Sequence, residues 1–284
     1  MFVYYCFIKP LSLLPLPVLH VLSRILYLVV YKTFGYRKDV VRKNLQNSFP
    51  NKTENEIREI EKNFYKHLMD IMLESIKNFS VSNRAIKKRV VIKNPEVIQE
   101  QINRGKNVIA TCGHYNNWET GALSVPFYIQ GGVYAIYKPL KNKFINKKTK
   151  ASRSKTGITF IDNKEVKSTF KKNRKKGCVI FFLTDQSPSN PKKAYWTNFL
   201  NQRTAVLFGA EKYALEYNCV VAYTEITKIK RGYYEGQFKI IEENPHQTNH
   251  GEITENHTRH LEETIIKEPA YWLWSHKRWK HTEK

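Results

Sequence analysis

A histidine and a glutamate, His114 and Glu119, stand in a pattern that can carry out acid–base chemistry. A strand-like apolar run ends at Gly113, His114 follows it, and Glu119 comes five positions later. On one continuous helix the two side chains would lie roughly 140° apart. They meet if His114 is on the turn leaving the strand and Glu119 is in the first turn of the next helix. We therefore expect His114 to act as a general base whose tautomer Glu119 fixes, with a surface or helix-capping role as the alternative.

Other reactive groups are weaker candidates. Cys112 lies two residues before His114, and we interpret it as a small buried side chain rather than a nucleophile. The spacing of His246, His250, His257 and His260 loosely resembles a metal site, but it lacks the HExxH arrangement and a nearby cysteine, so a solvated loop and helix face is favoured. The sequence has no GxSxG, P-loop or GxGxxG motif. No metal or other cofactor is therefore expected.

The elements that would position His114 alternate between strands and helices. Thr53 and Glu56 predict a capping box at the start of an amphipathic helix over residues 53–79. Strands are then predicted at residues 89–93, 107–112, 133–137, 158–161, 178–184, 219–227 and 234–242. Helices are predicted at residues 95–103, 117–129, 141–152, 164–175, 204–217 and 252–267. This alternation predicts an α/β fold, a mainly parallel sheet flanked by helices on both faces, as one domain over residues 35–284. Ligand sites in such sheets lie at the carboxyl ends of strands, where His114 stands.

Residues 1–34 differ in composition from that domain. Pro10, Pro15 and Pro17 interrupt the apolar run, so a regular helix is predicted from about Val18 to Phe34. Its length of about 25 Å is short of the ~20 residues that span a bilayer comfortably. We predict an N-terminal membrane-anchoring helix, either a strained single span or a helix in the interface, with a buried core helix as the alternative. The basic residues that follow it predict a cytoplasmic location for the domain.

The chain is strongly basic, with 48 Lys and Arg against 25 Asp and Glu, a net charge of +23 over 284 residues. Residues 141–176 alone hold fourteen Lys or Arg and two acids, a net charge of +12. Such a surface suits phosphorylated lipids, an acidic protein or nucleic acid; a solvated helical face is the plain alternative. Nucleic-acid binding is not expected, because no recognition motif is present and the apolar N-terminal segment indicates a membrane.

Several motifs between residues 36 and 280 occur together. They are Arg42-Lys43-Asn44-Leu45 with Phe49-Pro50, Gly113-His114 with Asn117-Trp118-Glu119, Arg153 with Gly157, Asp185-Gln186, and the tail Pro269-Ala270-Tyr271-Trp272-Leu273-Trp274-Ser275-His276-Lys277-Arg278-Trp279-Lys280. In this combination the chain resembles the bacterial lipid A late acyltransferase family, the lauroyl and myristoyl transferases. The histidine motif alone is shared with glycerolipid acyltransferases. Two features depart from the family: Phe199-Leu200-Asn201 stands where FFG is frequent, and the basic cluster at residues 141–176 is denser.

The resemblance implies a membrane enzyme that transfers a fatty acyl chain from the thioester of acyl carrier protein to the 3-hydroxyl of an acyl chain on a phosphorylated lipid A precursor. It implies a location at the bacterial inner membrane, with the catalytic domain on the cytoplasmic side. Substrate-binding or oxyanion roles are implied for Arg153, Asp185, Asn117 and Gln186, with Asp185 holding Arg153 or a neighbouring residue. The tail tryptophans pack in the core or, alternatively, seat the domain at the membrane. An acyltransferase acting on another membrane lipid, a glycerophospholipid or an aminoacyl lipid, is the closest rival.

Overall fold

Seven strands form one sheet in the computed structural model, which describes residues 1–173 and 176–283. The strands of this sheet are β1 Val90–Ile92, β2 Asn107–Cys112, β3 Gly132–Ile136, β4 Thr159–Ile161, β5 Cys178–Leu183, β8 Val220–Lys230 and β9 Tyr233–Glu242. Their order is β1-β9-β8-β2-β5-β3-β4, and every pair is parallel except the β8–β9 hairpin. Each of the seven predicted strands is present, and the prediction of a mainly parallel sheet is confirmed.

The central strands are buried on both faces. Val108 and Ala110 of β2 face one side of the sheet and Ile109 faces the other, because successive side chains of a strand alternate. Helices α5, α6 and α7 (Asn83–Arg89, Glu96–Asn103 and Trp118–Ser124) cover the first side. Helices α9, α10 and α11 (Val166–Lys172, Gly209–Tyr217 and Glu252–Lys267) cover the second. Burial on both faces explains why these strands are continuous apolar runs.

A third apolar cluster joins the long helix to the C-terminal tail. It contains α3 Lys38–Ser48, α4 Glu54–Lys77 and residues 269–279. Helix α4 begins at the predicted capping box: the Glu56 amide bonds Thr53 Oγ1, and the Thr53 amide bonds the Glu56 carboxylate at 2.8 Å. Trp272 and Trp274 are almost fully buried, so the core-packing interpretation of those two tryptophans is confirmed.

One predicted helix is partly wrong. Residues 204–217 do not form a single helix, because Gln202–Val206 is a strand (β7) paired with Tyr195–Phe199 (β6), and helix α10 starts only at Gly209. Leu200 and Asn201 between the strands both have positive φ, as a tight two-residue hairpin requires. This hairpin lies where the sequence departs from FFG. Arg174 and Lys175, at the end of the predicted helix 164–175 and within the basic cluster, lie outside the described residues.

The N-terminal segment is helical over more of its length than predicted. It contains α1 Lys9–Leu13 and α2 Leu16–Tyr27, flanked by the π-helices Tyr4–Ile8 and Leu28–Thr33, and it breaks at Leu14 and Pro15, whose ψ angles are 146° and 148°. Pro17 sits in the first turn of α2, where a missing amide hydrogen costs no helical bond, whereas Pro10 follows the π-helix Tyr4–Ile8 without a break. The described residues contain one helical stretch, Leu16–Thr33, that is long and apolar enough to cross a membrane.

Helix α2 is neither a core helix nor free of the domain. Only 17% of the stretch Leu16–Thr33 is buried, so the alternative of a core helix does not hold. One face packs on α4, where His20 Nε2 lies 3.0 Å from Glu74 Oε1 and Ser23 bonds Asp70. The opposite face exposes the apolar side chains of Val18, Val21 and Ile25, and the following π-helix exposes Leu28 and Val29. Helix α2 therefore contacts α4 through these polar side chains, which we call the polar seam, and its opposite face is apolar and exposed.

Basic helix α8 lies beside the start of the chain. It spans Lys143–Ser154 and is capped by Asn142, whose side chain accepts the Ile145 amide. Phe144 contacts the rings of Tyr4 and Tyr5, and the Lys148 ammonium lies over the same three rings. The lysine-rich surface and the exposed apolar N-terminus therefore adjoin.

Candidate active site

His114 and Asp185 meet because two neighbouring strands end in register. Strands β2 and β5 are parallel partners, with Cys112 opposite Leu183 at their carboxyl ends. His114 and Asp185 each lie two residues beyond this pair, so the chain turns them toward the same point. Nδ1 of His114 lies 2.7 Å from Asp185 Oδ1, and the His114 backbone amide donates to Oδ2 at 2.8 Å. One carboxylate thus fixes both the ring and the backbone of the histidine.

The C-terminal tail braces this carboxylate from behind. Trp272 donates its indole N–H to Asp185 Oδ2 at 2.8 Å. The tail is held in turn by the segment after His114. The backbone N–H of Asn116 donates to the Tyr271 carbonyl at 3.0 Å, and Tyr115 forms an isolated antiparallel β-bridge with Trp272. Asp185 is almost fully buried, and three N–H groups satisfy its two oxygens. The aspartate is therefore placed as an ionised group that cannot easily move.

The charges of the pair shift both pKa values. Burial raises the pKa of Asp185, but the His114 charge and the hydrogen bonds outweigh it and lower the pKa to about 2. Burial lowers the pKa of His114, yet the charge and hydrogen bond of Asp185, with a further contribution from Glu119, raise it above 6.5. A carboxylate on Nδ1 selects the tautomer that leaves Nε2 free to accept a proton. The histidine is thus a base strengthened by its neighbours.

Nε2 of His114 faces Gln186, the residue after Asp185. The Gln186 amide nitrogen lies 3.2 Å from Nε2, at the position from which a donor would reach the ring lone pair. Both side chains line the same cavity. A substrate hydroxyl that reached Nε2 would take the place of this amide. The Asp185-Gln186 pair therefore touches both nitrogens of the imidazole.

Glu119 does not make the predicted contact with His114. Its carboxylate pairs with Arg153 of α8, whose Nε donates to Oε2 at 2.8 Å and whose Nη2 bonds Oε1. The prediction that Glu119 fixes the His114 tautomer is therefore wrong in this structure, since Asp185 occupies Nδ1. Of the two partners implied for Asp185, Arg153 is not contacted, and the carboxylate instead holds neighbouring residues, His114 and Trp272. Glu119 and Arg153 still line the cavity beside His114.

Asn117 lies away from the cavity. Its side chain is fully buried, with Oδ1 capping α7 at the Thr120 amide (2.9 Å) and Nδ2 donating to Glu74 Oε2 at 2.7 Å. Glu74 is itself fully buried and also binds Arg89, His20 and Tyr234. Both of its side-chain polar atoms are occupied, so in this structure Asn117 positions the start of α7.

The His114 cavity is apolar and reaches into the core. Its volume is about 500 Å³. Its polar lining includes two bonded pairs, His114 with Gln186 and Glu119 with Arg153, as well as Lys138. The rest is mainly apolar and includes side chains from the sheet and α7, namely Val90, Ile92, Ala122, Val125, Ala135, Phe160, Phe181 and Ile226. We call this space the His114 cavity; it places a polar cluster at the edge of a volume suited to a hydrocarbon chain.

The other sequence candidates behave as small or structural groups. Cys112 lines the cavity, but burial and the Asp185 charge raise the pKa of its thiol, so the thiolate is disfavoured. His257 is buried, and burial lowers its pKa to about 3. Across residues 1–173 and 176–283, no three His, Cys, Asp or Glu side chains form a group able to hold a metal ion.

Sequence reasoning missed the parts of the site that come from distant segments. The sequence predicts core packing or a membrane contact for Trp272, and neither includes its hydrogen bond to Asp185. Nor does the sequence predict the Glu74 cluster. His276 is a further omission: its Nε2 accepts the Ser187 amide at 3.0 Å and so holds the loop after Gln186. The tail motif was the available signal, since a polar residue among tryptophans is suited to hydrogen bonding as well as packing.

Comparison with known proteins agrees with these motifs. The model of the family described as bacterial lipid A biosynthesis acyltransferase matches residues 1–281, almost the whole chain and including the N-terminal helices. No curated protein matches the chain significantly.

Proposed function

The chain belongs to the bacterial lipid A biosynthesis acyltransferase family, and from this premise we propose which substrates it joins and how. It transfers a fatty acyl chain from the thioester of acyl carrier protein to the 3-hydroxyl of an acyl chain on a phosphorylated lipid A precursor. The observation that supports this most strongly is the His114–Asp185 pair at the edge of an apolar cavity of about 500 Å³. A base beside a hydrocarbon-lined space is what acyl transfer to a lipid alcohol needs.

His114 activates the acceptor. An alkyl hydroxyl is a weak nucleophile near neutral pH, so its proton must leave as its oxygen attacks. The hydroxyl displaces the Gln186 amide from Nε2 and gives its proton to the ring, while Asp185 stabilises the imidazolium. The oxygen adds to the thioester carbonyl. When the carbon–sulfur bond breaks, the imidazolium returns the proton to the leaving thiolate.

Arg153 and Gln186 stabilise the charge that develops on the carbonyl oxygen. Both line the His114 cavity, and Arg153 is held by two bonds to Glu119. A guanidinium fixed in this way is a preorganised donor and cation, which favours the tetrahedral oxyanion over the neutral thioester. The Gln186 amide, once displaced from Nε2, is free to donate to the same oxygen. Glu119 thus acts through Arg153 and through its charge near His114.

The apolar wall of the His114 cavity holds the donor chain. Phe181 and Ile226 of the sheet and Val125 beyond α7 belong to its lining and are nearly fully buried. A chain delivered from a carrier in water gains most by being buried completely, at ~0.8 kcal/mol per methylene. The thioester then lies beside His114 at the polar part of the wall.

The surface around the entrance suits both partners. Helix α8 carries Lys143, Lys147, Lys148 and Lys150, which would attract the acidic carrier protein and the phosphates of the acceptor. The exposed apolar face of α2 would lie in the headgroup boundary of the bilayer. We assign the enzyme to the cytoplasmic side of the inner membrane, with residues 1–34 as an anchor docked on the domain over residues 35–284.

The proposal is tested by transfer in vitro. Purified protein in detergent micelles is incubated with acyl carrier protein thioesters of different chain lengths and a purified lipid A precursor. The masses of the products are determined by mass spectrometry. We expect one added ester-linked acyl chain on an existing hydroxyacyl chain, and loss of this product with His114→Ala. Acylation of added glycerophospholipid with an unchanged lipid A precursor would instead establish the rival substrate.

A further inference from the structure

A second apolar cavity lies beside the first. Its volume is about 470 Å³, and it runs between helices α4 and α8. We call it the α4–α8 groove. It shares four lining residues with the His114 cavity: Trp118, Glu119, Leu140 and Arg153. The two cavities therefore adjoin at the Glu119–Arg153 ion pair and its neighbours Trp118 and Leu140.

The groove is built from one face of each helix. On α4, Leu68, Ile71, Met72, Ser75 and Ile76 recur at a spacing of three or four residues and line it as a stripe. On α8 the corresponding stripe is Ile145, Thr149, Ser152 and Arg153. Among its described lining residues, the charged ones are Glu119 and Arg153, both at the junction. The groove is therefore an apolar channel with a polar end at the catalytic site.

The other end of the groove borders the exposed apolar N-terminus. Ile8 belongs to the lining, and its neighbours Phe7, Tyr5 and Phe2 are exposed. Met72 lines the groove while 46% of its surface remains exposed, so this wall is open to the outside. A chain lying here could reach the junction while the rest of its molecule stayed in a bilayer.

We propose that the α4–α8 groove binds the acyl chain of the acceptor that carries the nucleophilic hydroxyl; this assignment rests on the proposed function. The chain lies with its apolar part along the α4 and α8 stripes. Its hydroxyl passes the Glu119–Arg153 junction to reach Nε2 of His114, beside the thioester in the His114 cavity. The reaction joins two chains, and the structure provides two apolar spaces that meet at one polar point.

The assignment of the two spaces follows from their surroundings. The donor chain arrives from a water-soluble carrier and is suited to the His114 cavity, which ends among buried core residues such as Val90 and Phe181. The acceptor chain arrives from a membrane and is suited to the groove beside the exposed N-terminal side chains. Trp118 separates the spaces and packs edge-on against His114, with ring centroids 5.1 Å apart.

A pair of filling variants tests the assignment kinetically. Thr149→Trp fills the groove, and Thr149→Val is its matched control because it keeps the side-chain shape. We expect Thr149→Trp to raise the KM for the acceptor roughly ten-fold or more with little change in the KM for the donor. Ala122→Trp, which fills the His114 cavity, should do the reverse. A groove variant that impairs only the donor, or neither substrate, would overturn the proposal.

Photolabelling tests the groove without relying on turnover. A 3-hydroxy fatty acid with a terminal diazirine is irradiated with the full chain in micelles, and the labelled peptides are mapped by mass spectrometry. Labelling of residues 68–79 and 145–153, lost in Thr149→Trp, supports the proposal. Labelling confined to the His114 cavity overturns it even if lipid A transfer is observed. Groove labelling without any transfer to lipid A would support the groove as a binding site for a hydroxyacyl chain and would reject the lipid A precursor as the acceptor.

Discussion

The carboxylate of Asp185 holds His114 at two points, through Oδ1 to the ring Nδ1 and through Oδ2 to the backbone amide. This double contact couples the histidine to the tail, because Trp272 donates to the same Oδ2. A ring fixed in this way needs no reorganisation before it accepts a proton. The catalytic role that we propose for the pair can be measured.

Replacing Asp185 with asparagine should cost most of the activity. The amide can keep the shape but loses the charge that stabilises the imidazolium and selects the tautomer, so we expect kcat/KM to fall roughly 10²–10⁴-fold. His114→Ala should fall by a similar factor, and the double variant should be little worse than either. Transfer assays with folding checked by circular dichroism measure this. Normal turnover by Asp185→Asn would remove the aspartate from the mechanism.

The pH dependence should report the His114 pKa. The base must be neutral to accept a proton, and its pKa is raised above 6.5, so kcat/KM should rise with pH through an apparent pKa above 6.5. Asp185 contributes most to that increase, so the same limb should move to lower pH in the residual activity of Asp185→Asn. A profile measured from pH 5 to 9 tests the direction. A limb that moved to higher pH would contradict the assignment.

The Glu119–Arg153 pair should behave as a unit. Lysine cannot reproduce the two bonds that Arg153 makes to Glu119, so Arg153→Lys is expected to lower kcat more than it raises KM. Glu119→Gln leaves the guanidinium less firmly held and should lower kcat as well. In a double-mutant cycle the two effects should not add. If the two losses in activity were strictly additive, Glu119 and Arg153 would act independently and not through their ion pair.

The buried Glu74 cluster should govern stability. Four groups bond this one carboxylate: His20, Arg89, Asn117 and Tyr234. Glu74→Gln leaves the buried guanidinium of Arg89 uncompensated, and we expect the free energy of unfolding to drop by about 3–5 kcal/mol. Denaturant unfolding in detergent measures the change.

An exposed ion pair provides the control for this prediction. Oε2 of Glu59 lies 3.8 Å from Nζ of Lys62 on the surface of α4. Glu59→Gln should therefore change the free energy of unfolding by less than about 0.5 kcal/mol. Equal losses of unfolding free energy in the Glu59 and Glu74 variants would mean that burial of the Glu74 cluster does not contribute to stability.

Membrane attachment should depend on the outward face of α2. Val21 and Ile25 are 60% and 54% exposed and contribute nothing to the polar seam with α4. Changing both to glutamate should leave the fold intact and move protein from vesicle-bound to soluble fractions, because charge at the interface opposes insertion. Ile266→Glu, at a position 57% exposed on α11, is the matched control. Unchanged sedimentation of the Val21/Ile25 variant with vesicles would exclude this face as the anchor.

The sequence by itself determined the sheet and the location of the site. The central strands β2 and β5 are apolar runs because they are buried on both faces, and β9 at the side of the sheet alternates apolar and polar residues. Both are local patterns that the sequence displays. The sequence did not predict the β6–β7 hairpin, because Leu200-Asn201 lacks the glycine that usually signals such a turn. His114 could be placed at the end of a strand because Gly113 ends the run of β2.

Tertiary structure alone decided which acid serves the histidine. Glu119 is five residues from His114 and Asp185 is 71 residues away, yet the β2–β5 register brings Asp185 to Nδ1 and leaves Glu119 to Arg153. Strand order and register depend on long-range packing, which spacing along the chain does not encode. The same is true of Asn117, whose burial against Glu74 follows from the docking of α4 on α7.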